Sequence, residues 1–72
     1  MEEVWTREFS VGDRTFEATF MRRAFREGLE VQVEVDGEII RVAEFGFGEQ
    51  SLLEKLRTQV EKSLRDRSTG AG

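Results

Sequence analysis

Three groups of residues in this chain have the types and spacing to do chemistry. The first is a set of carboxylates. Glu30 and Glu34 lie on one alternating stretch, and Glu8 and Glu17 meet across a turn. Paired carboxylates can serve glycoside hydrolysis or hold a hard divalent cation. Either role needs a concave site, and the connections here run only two to five residues, too short to build one. A solvated charge ladder is the simpler reading, so no catalytic residue and no metal-ligand set is assigned.

The second group is Met21-Arg22-Arg23-Ala24-Phe25-Arg26, the only basic run, with an aromatic inside it. Arginines beside an aromatic on a sheet can grip phosphate and stack on bases. Arg22, Arg23 and Arg26 are therefore the candidate residues for a nucleic-acid-binding module, the alternative to the reading below. The formal net charge of −4 argues against it, because nucleic-acid surfaces are normally basic.

The third is Gly46-Phe47-Gly48-Glu49-Gln50-Ser51, a glycine-rich step out of a strand and into a helix. That is where a dinucleotide fingerprint places phosphate on free helix N–H groups. Here Ser51 stands where the third glycine belongs, Glu49 puts negative charge beside the phosphate position, and no strand follows the helix. A strand-to-helix elbow fits better, and no cofactor is implied.

The missing residue types narrow the function classes further. The chain has no His, Cys, Tyr, Asn or Pro. The usual general base, the thiol nucleophile and the commonest transition-metal ligand are absent together. No disulfide can staple the fold. No apolar run reaches membrane-spanning length and no signal peptide opens the chain, so a cytoplasmic, non-enzymatic protein is expected, with no small-molecule substrate. Nine arginines against two lysines, with abundant Glu, suit a thermophile or a GC-rich genome.

The elements that would position these groups are legible. Leu29 to Val35 alternates apolar and polar residues without a fault, and Asp36-Gly37 is the strongest short hairpin signal because a type I′ turn needs positive φ twice. That turn pairs Val33 with Ile40, Val31 with Val42 and Gln32 with Arg41. Upstream, Glu2 to Val11 and Arg14 to Arg26 read as strands joined at Gly12-Asp13, with Gly first as type II′ prefers. The register puts Phe9 opposite Phe16, Trp5 opposite Phe20, and Glu8 opposite Glu17. The phase of the second strand slips before Phe25, so a β-bulge is expected near Arg22-Arg23. A three-residue loop with Gly28 left-handed would then bring Phe25 opposite Leu29. Downstream, Ser51 and Glu54 match a capping box ahead of the stripe Leu52, Leu53, Leu56, Val60 and Leu64.

These elements predict an α+β fold, a four-stranded antiparallel β-meander followed by one C-terminal α-helix packed on one sheet face. Residues 1–67 form the single domain and 68–72 a flexible tail. Four strands at about 4.8 Å spacing are wider than one helix of about 10 Å, so a second body is expected to finish the burial. The expected function is a small interaction domain, a homodimer or a module docking on a protein partner. Trp5, Met21, Phe25, Ile39, Phe45 and Phe47 are its candidate interface residues.

Overall fold

The computed structural model describes residues 3–22, 28–44 and 48–70. Strands β1 (Glu3–Val11), β2 (Arg14–Arg22), β3 (Leu29–Val35) and β4 (Glu38–Glu44) form one antiparallel sheet in the order β1-β2-β3-β4, and helix α1 (Glu49–Gly70) follows. The meander-plus-helix architecture is the expected one.

Both hairpins close in the expected register. Asp36 and Gly37 have φ of 50° and 88°, the double positive φ of a type I′ turn. Gly12 alone is positive in the first turn, at 62°, as type II′ requires. Phe9 then faces Phe16, Trp5 faces Phe20, Val33 faces Ile40 and Val31 faces Val42. Gly28 also has positive φ, at 119°.

Between the hairpins the pairing is Thr19 with Gln32, Phe20 with Val31 and Met21 with Glu30. A loop closing Phe25 on Leu29 would instead have brought Ala24 to Glu30. The difference has a packing reason: Phe16, Ala18 and Phe20 already match the phase of Leu29, Val31, Val33 and Val35, so no slip is needed within β2. The bulge at Arg22-Arg23 and the position of Phe25 lie outside the described residues.

The helix departs from expectation at both ends. Its first turn is closed by Leu52 N–H donating to Gly48 C=O at 3.1 Å, so Gly48, not Ser51, stands at the N-cap. Glu49 consequently becomes the first helical residue, where a carboxylate favours the positive end of the helix dipole. At the other end α1 continues to Gly70, so Ser68, Thr69 and Gly70, read as tail from the sequence, belong to the helix.

The core is one layer between α1 and one sheet face. Phe20, Ala18, Val31, Val35, Leu52, Leu56 and Val60 are fully buried. Here the expectation that one helix cannot cover the face needs correction: Phe9 and Phe20 are only 8% and 0% exposed, and Trp5 is half-buried. Two devices achieve this. The helix packs against β1, β3 and β4, beginning beside Trp5 and Arg7 of β1 and ending beside the β3–β4 turn. It therefore crosses the sheet obliquely rather than lying along two strands. Where it does not reach, arginines act as roofs. The Arg14 guanidinium lies 5.0 Å from the Phe16 ring centroid and Arg22 lies 5.7 Å from that of Trp5. Arginine covers apolar surface with its stem while its head stays wet.

Candidate functional site: the bare sheet face and the β4 edge

Because paired residues share a face, the register assigns every strand position. Trp5, Arg7, Phe9, Phe16, Phe20, Arg22, Val31, Ile40 and Val42 lie on the side of α1. The opposite side carries Val4, Thr6, Glu8, Thr15, Glu17, Thr19, Met21, Glu30, Gln32, Glu34, Ile39, Arg41 and Ala43. No described element covers this second face. Val4 and Ile39 are its open apolar residues, 61% and 55% exposed, and Met21 is half-buried.

The ion pairs are distributed unevenly between the two sides. Lys55 Nζ lies 2.6 Å from Glu44 Oε1, and Arg7 Nε 2.8 Å from Glu49 Oε1. At the hairpin tips Arg14 Nη2 and Nη1 donate to Asp36 Oδ1 and Oδ2 at 3.0 and 3.3 Å. Arg67 donates to Asp36 Oδ2 at 3.0 Å and to Glu38 Oε2 at 2.9 Å. The hydrogen bond from Arg14 holds the Asp36 carboxyl below its ordinary range, with the charges of Arg14 and Arg67 acting the same way. The Arg14 guanidinium is raised in turn, first by that hydrogen bond.

Among the described residues the bare face, by contrast, has Glu8, Glu17, Glu30 and Glu34 with one cation, Arg41, whose hydrogen bond goes to Gln32 at 3.4 Å. Glu8 faces Glu17 directly. The β2–β3 ladder stops at Thr19 and Gln32; continued by two further pairs it would set Ala18 against Val33 and then Glu17 against Glu34. Like charges directly opposite destabilise a strand pair, which accounts for the parting. Beyond the end of this ladder lies a groove of about 440 Å³ whose lining includes Thr15, Glu17, Thr19, Gln32, Glu34 and Ile39. Sequence reasoning found the Glu8–Glu17 pair but missed Glu17–Glu34. The signal needed was the β2–β3 register, which no tight turn fixes.

The other candidates fall as follows. Trp5 is on the helix side, stacked on Phe20 at 5.5 Å and donating to Glu49 Oε1 at 2.9 Å. Arg22 is exposed over Trp5, on the helix side rather than the bare face. Met21 and Ile39 share the bare face. Phe25, Phe45 and Phe47, like Arg23 and Arg26, lie outside the described residues. No group of acidic residues that could hold a metal ion occurs among the described residues, and none of the described helices is long and apolar enough to cross a membrane.

No family model, curated protein or solved structure matches this chain.

Proposed function

We propose that the protein is a non-enzymatic interaction domain that docks on a protein partner through the sheet face α1 leaves bare. The observation that carries this reading is the groove between β2 and β3. Its carboxylates of Glu17 and Glu34 beside exposed Ile39 suit the charged head and aliphatic stem of a partner's lysine or arginine. Exposed Val4, at the far end of the same face opposite Met21, offers a second apolar contact. A second copy is the less suitable occupant, because two such faces would oppose Glu8, Glu17, Glu30 and Glu34 to their own kind. Docking on another protein is therefore favoured over the homodimer.

The test is an NMR titration of the ¹⁵N-labelled protein with the acetylated, amidated peptide Lys-Val-Lys-Val-Lys. Saturating shifts at Thr15, Glu17, Gln32, Glu34 and Ile39, weakened in Glu17→Gln/Glu34→Gln, support the reading. Shifts confined to α1, or a response indifferent to the glutamine variants, refute it.

A further inference from the structure

The sheet has free edges, and one of them is built to accept a strand. β4 pairs with β3 along its whole length, Val35 with Glu38 through Leu29 with Glu44, with no bulge and no proline. A two-residue hairpin makes its flanking pair hydrogen-bonded, and bonded pairs alternate with non-bonded ones along the ladder. Glu38, Ile40, Val42 and Glu44 therefore spend their backbone groups on β3. The N–H and C=O groups of Ile39, Arg41 and Ala43 point outward. Among the described residues no hydrogen bond outside the ladder reaches them. Beside this edge, between β4 and α1, runs a groove of about 550 Å³ lined by Ile39, Ile40, Gln59, Lys62, Ser63 and Asp66. A regular edge next to a groove between strand and helix is what strand addition uses: main-chain bonds hold the incoming segment and alternate side chains drop into the groove.

We infer that β4 is the docking edge for an extended segment of another protein, added antiparallel as a further strand. This rests on the reading of the protein as a docking module and adds a second contact surface to the bare face. The charges along β4 select the occupant. In the full-length antiparallel register a second copy would set Arg41 against Arg41, like charges at the centre of the ladder. Glu38 and Glu44 already meet Arg67 and Lys55, so a foreign segment fits with an acidic residue opposite Arg41 and apolar residues opposite Ile39, Ile40 and Val42. The partner strand so defined is acidic at its centre and apolar on either side.

The heptapeptide Lys-Thr-Val-Glu-Val-Val-Lys meets that pattern, and Glu-Thr-Val-Lys-Val-Val-Glu inverts its charges. Fluorescence anisotropy with the labelled peptides is read together with hydrogen exchange of the protein. The expected result is saturable binding of the first peptide and at least about tenfold weaker binding of the second, with new protection at the amides of Ile39, Arg41 and Ala43. Arg41→Glu should reverse the preference. Ala43→Pro removes one outward donor and no β3 bond, which an edge position tolerates. It should abolish binding while circular dichroism stays unchanged. No binding, equal binding of both peptides, protection elsewhere, or undiminished binding to a folded Ala43→Pro protein would each overturn the inference. The two readings separate cleanly: Ala43→Pro leaves the β2–β3 groove intact, and Glu17→Gln/Glu34→Gln leaves the β4 edge intact. If Ala43→Pro fails to fold, the Arg41→Glu reversal decides alone.

Discussion

The Trp5 indole N–H donates to the Glu49 carboxylate at 2.9 Å, tying the first strand to the first residue of the helix. Arg7 Nε lies 2.8 Å from the same oxygen. The bond orients a ring that also stacks on buried Phe20. It thereby fixes where the helix starts its crossing of the sheet.

Trp5→Phe keeps the stack and deletes the bond. It should lower stability by about 1 kcal/mol, the usual worth of one hydrogen bond, read from urea unfolding followed by far-ultraviolet circular dichroism. An unchanged midpoint would mean that the tie does not hold the helix start.

Leu56 lies in the middle of the core stripe with no exposed surface. Leu56→Ala should cost about 2–5 kcal/mol, a large part of what a domain this small possesses. Its thermal transition should be lowered far more than that of Val4→Ala on the bare face.

Asp36 joins the two hairpin tips through Arg14 and the last turns of α1 through Arg67. Its carboxyl is held below its ordinary value, so its contribution is present above the unfolded-state value, about 3.9, and is lost as pH falls through the lower folded value. Asn tolerates the same left-handed turn position. Asp36→Asn should therefore keep the turn yet flatten the fall in melting temperature below about pH 4. An acid limb identical to that of the unmodified protein would exclude Asp36 from the tie.

Glu34→Gln removes one of the two like charges that would meet if the β2–β3 ladder ran on. It should raise stability by about 0.5 kcal/mol and slow amide exchange at Glu17. The gain should shrink in high salt, because the interaction is exposed and screened. A loss of stability would mean that the strands part for another reason.

The fold was legible because its two tight turns are written in the chain. Asp36-Gly37 and Gly12-Asp13 each fix a register, and with it the face of every residue on two strands. The helix stripe was equally plain, but its start was not: Ser51 carries the capping signature, while Glu49 is chosen by Trp5 and Arg7, partners more than forty positions away. The second gap was Glu17 against Glu34, set by tertiary pairing of two hairpins rather than by a turn. The third was burial. Counting strand and helix widths ignored the oblique crossing and the arginine stems over Phe16 and Trp5, and so overstated the apolar surface left for a second copy.

Sedimentation equilibrium on the isolated protein, at neutral pH and rising concentration, is the direct check on the proposal that the acidic face docks on a different protein rather than on a second copy. A mass staying at the 8.3 kDa of one chain is the expected result. A dimer forming with concentration would contradict it.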